Sequence, residues 1–110
     1  MISTRKVVEY LDPDGASPFA RWFARLDPAA AAKVTTALYR MEQGNLSNVK
    51  PVGQGVAEYR IHAGPGYRIY IGQQGGRLVI LLGGGTKKGQ GADIRLAQRR
   101  WRDYKARDKR

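Results

Sequence analysis

The sequence predicts an α+β fold: an antiparallel four-stranded sheet with an N-terminal helical hairpin and a C-terminal helix. Three observations predict it. Helical periodicity is confined to residues 17–44 and 92–107. Runs of strand length and β-type composition fill most of the remainder, and the strands of the second half are joined by connections so short that they must pair antiparallel. At 110 residues, the chain is expected to form one domain.

The first half of the chain contains one strand and two helices. Residues 6–11 (KVVEYL) form a short β-type run that ends at the turn sequence DPDG. The SP dipeptide at 17–18 supplies an N-cap followed by proline at the first helical position. The DP dipeptide at 27–28 repeats this signal, and its helix continues to Gly44, a typical residue after a helix end. The two helices therefore form a hairpin.

The second half is predicted to be a loop, three strands and a helix. Residues 45–55 are polar and rich in turn formers, so we expect a loop there. Strands at 56–63, 67–73 and 77–83 then form an antiparallel meander. The third of them contains LVILL and is apolar on both faces, as expected of a central strand covered by helices. The helix 92–107 completes the fold.

Composition and charge restrict the class of protein. Lys and Arg total 20 against 9 Asp and Glu, a net charge of +11, while the 42% apolar content is too high for a disordered basic tail. Such a domain attracts nucleic acid, an anionic membrane surface or an acidic protein. The absence of cysteine and the presence of one histidine argue against a metal site, and no cofactor is expected. No apolar run approaches the roughly 18 residues needed to span a bilayer, so we expect a cytoplasmic protein without a membrane partner.

The register of the hairpin YRIHAGPGYRIY groups polar side chains on one face. Alternation places Glu58, Arg60 and His62 together on the first strand. Arg68 and Tyr70 occupy the matching face of the second, provided that the connection has an odd number of residues, since a slip by one residue would bury the arginines. Each residue alone fits an ordinary solvated strand. Facing cations repel, however, and a bound phosphodiester would relieve that repulsion.

The glycine- and lysine-rich segment 83–89 and the basic helix after it are two further cationic features. The segment lacks the lysine followed by serine or threonine that a nucleotide-binding P-loop requires. Its glycines, together with Lys87 and Lys88, still suit an anion near a helix N-terminus, and a flexible linker is the alternative. The arginines of helix 92–107 fit a solvated face or attraction to ribosomal RNA or an acidic peptide, and we assign them no role.

With RIHAGPGYRIY (60–70) and GGGTKKGQGADIRLA (83–97) considered jointly, the chain resembles the type II toxins of the RelE/ParE superfamily, in particular the HigB-like addiction-module killer branch. FARWFARL in the first helix belongs to the same pattern, and the resemblance covers about residues 17–104. The sequence departs from it at Tyr59, Gly83 and Thr86, where leucine, cysteine and aspartate are common. None of these positions lies on the cationic face of the hairpin.

The resemblance implies a single RelE-like toxin domain over residues 1–110 that cleaves mRNA in the ribosomal A site and so inhibits translation. No metal takes part: a base deprotonates the ribose 2′-OH, its oxygen attacks the adjacent phosphate, and cations stabilise the developing charge. By position, the implied catalytic residues are Arg68, which stabilises that charge, His62, Arg60 and Lys87. The RNA-binding candidates are Tyr70, Lys88, Gln90 and Asp93.

The general base stays open, because branches of the superfamily differ in the residue used. His62 is the side chain of this sequence whose ordinary titration suits acid–base chemistry at neutral pH. The resemblance also implies a cognate antitoxin of the helix-turn-helix type, with operator DNA bound only through it, and the ribosome and mRNA as targets. Two alternatives remain: a ParE-like inhibitor of DNA gyrase, since one fold supports both activities, and a non-catalytic nucleic-acid-binding relic of a toxin.

Overall fold

The computed structural model describes residues 4–108, so the two ends of the predicted domain, residues 1–3 and 109–110, lie outside the described residues. A five-stranded sheet separates two helical layers. The strands are β1 (Lys6–Glu9), β2 (Val49–Gly53), β3 (Val56–Ile61), β4 (Tyr67–Gln74) and β5 (Leu78–Thr86), in the order β1-β5-β4-β3-β2. The helices are α1 (Pro18–Ala24), α2 (Pro28–Glu42) and α3 (Gln90–Arg107), and a 3-10 turn (Lys87–Gly89) precedes α3.

The α+β class is confirmed, but the predicted four antiparallel strands are wrong in two respects. β2 lies inside the stretch 45–55 that was predicted as a loop, and it pairs antiparallel with β3. It is an edge strand, and an edge strand accommodates a proline such as Pro51, which cannot donate to a ladder. β1 pairs with β5 in parallel, from Lys6 with Leu78 to Glu9 with Leu81. The sheet is therefore mixed.

Local sequence signals set the helix starts. The Ser17 hydroxyl accepts a hydrogen bond from the Ala20 amide at 3.0 Å, and the Asp27 carboxylate accepts one from the Ala30 amide at 2.8 Å. A proline follows each cap, as predicted. Gly44, just beyond α2, has a φ of +82°, which glycine adopts without steric cost. Nowhere in residues 4–108 is a helix both long enough and apolar enough to cross a membrane.

The hydrophobic core occupies both faces of the sheet, because β4 and β5 lie between the two helical layers. On one face, Val34 and Met41 of α2 pack with Ile69 and Ile71 of β4. On the other face, α3 packs against the alternate strand residues through its buried side chains, Ala97 and Trp101. Burying both faces fixes the register of β4, since a slip by one residue would exchange its two sets of side chains.

The first part of the glycine- and lysine-rich segment, residues 83–86, belongs to β5 rather than to a loop, and the remainder forms the 3-10 turn. Gly83, Gly84 and Gly85 pair with Tyr70, Ile69 and Arg68 of β4. A Cβ on Gly84 would overlap the indole of Trp22, and one on Gly85 would overlap the carboxylate of Asp93. These glycines therefore allow side chains of α1 and α3 to lie directly on the strand. The sequence predicted that these glycines form either an anion-binding loop or a flexible linker, and neither prediction describes their position in a strand.

Candidate active site

The pairing of β3 with β4 brings two arginines together on the face of the sheet that α3 covers. Arg60 lies directly opposite Arg68, and Glu58 lies opposite Tyr70. Ile61 pairs with Tyr67, which leaves residues 62–66 as a connection with an odd number of residues. This is the register that the alternation of the sequence predicts.

A buried carboxylate lies at the centre of this arrangement. Glu58 has no exposed surface (0%). Its Oε1 accepts a hydrogen bond from Arg60 Nε at 2.8 Å, its Oε2 accepts one from Gln90 Nε2 at 2.7 Å, and Arg68 Nε lies 3.4 Å from Oε2. We refer to these four residues, Glu58, Arg60, Arg68 and Gln90, as the Glu58 cluster.

The cluster keeps Glu58 ionised. Burial raises the pKa of its carboxyl, but the hydrogen bonds from Arg60 and Gln90 and the charges of both arginines outweigh burial, so the pKa lies below its ordinary value of 4.5. An ionised carboxylate balances one of the two guanidiniums. The sequence predicted that a bound phosphodiester would relieve the repulsion between Arg60 and Arg68. In the structure, the carboxylate of Glu58 relieves most of it. One positive charge remains for an anionic ligand.

The two arginines differ in their access to solvent. The Arg60 side chain is 34% exposed, whereas that of Arg68 is 9% exposed. Arg68 Nη1 donates a hydrogen bond to the Gly66 carbonyl at 2.9 Å, which holds its guanidinium beneath the turn. Arg60 is therefore the more accessible of the two to a phosphate, although the resemblance assigns the main role to Arg68.

Lys87 lies at the same end of the sheet as Arg68. Its backbone amide donates to the Gly66 carbonyl at 3.0 Å, the same oxygen that accepts from Arg68. Both Lys87 and Lys88 are exposed on the 3-10 turn that follows β5. Arg60, Arg68 and Lys87 thus form a cationic group in which Arg60 and Lys87 reach the surface.

Tyr70 supports this group from below. Its side chain is 1% exposed and packs in the core on the α3 side of the sheet, so an RNA nucleobase cannot stack on the ring. Burial, followed by the negative charges of Glu58 and Asp93, raises the pKa of its phenol well above the ordinary value. The hydroxyl lies near Glu58, yet among residues 4–108 it meets no partner in hydrogen-bond geometry. The predicted contact of Tyr70 with RNA does not fit this position.

The structure does not place two other predicted residues in the Glu58 cluster. His62 is exposed just beyond the end of β3 and lines a cleft against α2. The Asp93 carboxylate is packed against Gly85 and Gly89 and lines a second cleft, between α1 and α3. Burial raises the pKa of Asp93, and the positive charge of Arg100 opposes the shift. Gln90, predicted to bind RNA, instead donates to Glu58.

The central residue that the sequence argument did not assign is Glu58. The sequence did contain a signal for Glu58. Alternation along β3 places its carboxylate on the same face of the sheet as Arg60, next to β4, the strand that carries Arg68. The arrangement as a whole is suited to holding a phosphate at its cationic rim. Across residues 4–108, no three His, Asp or Glu side chains are grouped in a way that could hold a metal ion.

Two comparisons relate this chain to known proteins. A family model described as "Phage derived protein Gp49-like (DUF891)" matches residues 21–102, a span that includes the whole Glu58 cluster. A protein of Haemophilus influenzae (strain ATCC 51907 / DSM 11121 / KW20 / Rd), described as an uncharacterized protein, is 42% identical over 81 residues. That match covers 73% of this chain and 82% of the Haemophilus protein.

Proposed function

Since this chain belongs to the Gp49-like family of phage-derived proteins, a toxin-like family related to addiction modules, we propose that it is the toxin of a type II toxin–antitoxin module and cleaves mRNA on the ribosome. The family is associated with toxins of the RelE/HigB type. The proposed partners are a cognate antitoxin of the helix-turn-helix type, the ribosome and mRNA. Contact with operator DNA occurs only through the antitoxin.

The observation that supports RNA cleavage most strongly is the position of three cationic residues at one end of the sheet. Arg60 lies near the end of β3, Arg68 near the start of β4, and Lys87 directly after β5. Arg60 faces Arg68 across the hairpin, and Lys87 is joined to the same turn through the Gly66 carbonyl. Guanidinium groups offer planar pairs of donors that match phosphate oxygens, and lysine adds a point charge. Such a group can bind a backbone phosphate and stabilise the additional negative charge of a phosphorane-like transition state.

In the proposed reaction, a base removes the proton of a ribose 2′-OH and the 2′-oxygen attacks the adjacent phosphorus. The bond from phosphorus to the 5′-oxygen breaks, and that oxygen leaves with a proton, so the products are a 2′,3′-cyclic phosphate and a 5′-hydroxyl. Arg60 and Lys87 contact the phosphate, and Arg68 stabilises its charge from beneath. His62, exposed two residues beyond Arg60, is the proposed base.

Glu58 is a positioning residue in this scheme. It holds the Nε edge of Arg60, so the guanidinium is oriented before RNA binds and loses less side-chain entropy on binding. Gln90 fixes the other oxygen of the same carboxylate from α3. Preorganised donors of this kind act on the transition state without having to reorient during the reaction.

Induction in growing cells tests the function. We expect growth arrest, loss of translation and new 5′ ends within a reporter mRNA, detected by primer extension. The test variant is Arg60→Ala, which is expected to abolish cleavage of the mRNA. The control is Arg77→Ala, which removes an exposed arginine at the opposite end of β4 and β5 and should leave cleavage unchanged. Arrest with intact mRNA and a DNA-damage response would contradict the proposal and indicate gyrase inhibition. RNA binding without cuts would indicate a non-catalytic relic.

A further inference from the structure

A cleft of about 340 Å³ opens between α1 and α3 at the edge of β5, outside the Glu58 cluster. Its floor is Gly84 of β5, which is partly exposed. β1 pairs with β5 only as far as Leu81, so within residues 4–108 no strand covers this part of the edge. We call it the Trp22 cleft; its walls are Arg21, Trp22 and Arg25 on the α1 side and Asp93, Leu96 and Arg100 on the α3 side.

The glycines of β5 let the walls of the cleft rest directly on the strand. The Trp22 indole lies where a Cβ of Gly84 would be, and the Asp93 carboxylate lies where a Cβ of Gly85 would be. Glycine inside a strand is destabilising, and close helix packing alone would favour apolar groups above it. An indole and a carboxylate are instead groups that recognise ligands, the first by stacking and the second by accepting hydrogen bonds.

Two opposite charges on α3 face the cleft without pairing. Arg100 is partly buried, and its Nη1 donates to the Leu82 carbonyl at 2.9 Å. Arg100 and Asp93 attract one another, yet within residues 4–108 neither of them forms an ion pair. They lie two helical turns apart, about 10 Å along the axis, with Leu96 between them. The α3 wall therefore offers an acceptor at one end, donors at the other and an apolar surface in the middle.

Two arginines of the α1 wall, Arg21 and Arg25, form the outer rim of the cleft, and both are exposed. Arg21 lies 3.6 Å from Asp12 and keeps 64% of its side chain exposed. Among the described residues, Arg25 has no ion-pair partner. Guanidinium groups match phosphate oxygens, so the rim suits a phosphate, whereas the interior suits a planar group with its own donors and acceptors.

We propose that the Trp22 cleft binds a guanosine nucleotide of the RNA substrate, an inference that for its RNA source rests on the function proposed above. The base lies between Trp22 and Leu96. The adjacent N1–H and N2–H donors of guanine bond to the two oxygens of Asp93, and Arg100 donates to the edge that carries O6 and N7. The two rim arginines contact the phosphate.

Guanine fits this set of groups better than the other bases. Adenine and cytosine each present an amino group beside an acceptor nitrogen, and uracil presents one N–H between two carbonyls. None of these three offers two adjacent donors to a carboxylate, which only accepts hydrogen bonds when ionised. An acidic peptide would be attracted by the arginines but repelled by Asp93.

The Trp22 cleft is close to the proposed active centre. Gly85, on which the Asp93 carboxylate rests, pairs with Arg68, and neighbouring strands lie about 4.8 Å apart. Gln90, one turn before Asp93 on α3, donates to Glu58. A nucleotide held in the cleft would thus fix the position of the RNA relative to Arg68. Asp93 would then determine where the RNA is cut.

The binding test uses the full chain labelled with ¹⁵N and guanosine monophosphate, with adenosine monophosphate and inorganic phosphate for comparison. We expect guanosine monophosphate to shift the Trp22 indole signal and the amide signals of Gly84 and Asp93. It should bind more tightly than adenosine monophosphate by about tenfold or more, equivalent to at least about 1.4 kcal/mol. Asp93→Asn replaces one acceptor oxygen with a donor and should bind both nucleotides equally. The control Glu42→Gln removes an exposed charge outside the cleft and should keep the preference.

A second pair of variants tests the rim. Arg25→Glu should weaken the binding of both nucleotides, because it replaces a phosphate contact with a repulsive charge. Arg77→Glu makes the same change at an exposed position outside the cleft, just before β5 begins, and should bind as wild type. Folding of each variant is checked from its amide spectrum.

Four results would overturn the proposal: no shift with millimolar guanosine monophosphate, equal binding of both nucleotides by the wild type, a guanine preference that survives in Asp93→Asn, or the same shifts with inorganic phosphate alone. An oligouridylate with one central guanine distinguishes the two sources of the base. Tighter binding of this RNA than of guanosine monophosphate supports an RNA residue as the occupant. Tighter binding of the free nucleotide would refute the RNA source.

Cleavage on the ribosome separates this proposal from the proposed function. The wild type should cut at a fixed distance from guanine, and Asp93→Asn should cut without that preference. Guanine-selective binding by a protein that cuts no mRNA would refute the nuclease and leave the nucleotide site standing. Cuts unrelated to guanine, made by a protein that does not bind guanosine monophosphate, would refute this inference alone.

Discussion

Arg60 and Arg68 lie directly opposite one another on β3 and β4 although both carry a positive charge. Like charges in this position destabilise a sheet by roughly a few tenths to 1 kcal/mol. Both arginines contact the buried carboxylate of Glu58, which converts the repulsion into an ordered ionic group. The stability of the hairpin and the cationic rim proposed to bind RNA therefore depend on the same carboxylate.

The first prediction concerns Glu58. Glu58→Gln should lower the free energy of unfolding at neutral pH by about 3 kcal/mol, because two guanidiniums lose their buried counter-charge. The folded-state pKa of Glu58 is lowered, so the stability it contributes is complete above the ordinary value of 4.5 and is lost as the pH falls through the lowered pKa. Urea denaturation at a series of pH values measures the difference between the two proteins.

The control for this pH dependence is Glu9→Gln, a change at an exposed glutamate of β1. It should shift the unfolding free energy by no more than about 0.5 kcal/mol at any pH. A difference between wild type and Glu58→Gln that stays constant from neutral pH down to about pH 3 would show that ionisation of Glu58 is not its source.

The second prediction concerns Arg68. Arg68→Ala should remove growth arrest while the protein stays folded, and Arg68→Lys, which keeps the charge but loses the planar pair of donors, should lower cleavage by about a hundredfold or more. Because Arg68 also pairs with Glu58, the alanine variant should lose about 1–3 kcal/mol of stability. Thermal denaturation measures the loss of stability, and growth curves of the same variants measure the loss of growth arrest. Wild-type growth arrest by a folded Arg68→Ala protein would remove Arg68 from the proposed active site.

The third prediction concerns the contact of Gly84 with Trp22. A methyl group at residue 84 would overlap the indole, so Gly84→Ala should destabilise the protein by about 1–3 kcal/mol through overpacking. Gly91→Ala is the matched change, since a Cβ there meets only Arg95 Nη1 at 3.6 Å and alanine favours the helix by about 0.5–1 kcal/mol. Equal melting temperatures for the two variants would mean that α1 does not rest on β5 as described.

The features that could be predicted from the sequence are those set by neighbouring residues. Caps and prolines fix the starts of α1 and α2, and the alternation of apolar side chains fixes the register that pairs Arg60 with Arg68. β2 could not be predicted, because VKPVG carries no strand pattern of its own and becomes a strand by pairing with β3 at the sheet edge. The parallel direction of β1 depends on a partner that lies 72 residues along the chain, from Lys6 to Leu78.

The candidate site, too, could be predicted from the sequence only where neighbouring residues determine it. The sequence placed Glu58 on the cationic face, but the burial of its carboxylate depends on α3, whose Gln90 is 32 residues away. The burial of Tyr70 and the close approach of Asp93 to Gly85 likewise follow from the packing of α3 on the sheet. Short-range patterns therefore identified the cations, whereas the side chains that restrain them come from tertiary contacts.

The most direct test of the account is the product that the purified protein makes from a defined mRNA on translating ribosomes. We predict cleavage that leaves a 2′,3′-cyclic phosphate, its loss in Arg60→Ala and in Lys87→Ala, and no change in Arg77→Ala. Intact mRNA with the wild-type protein, or equal cleavage by all three variants, would contradict the claim that Arg60, Arg68 and Lys87 form the active centre of a ribonuclease.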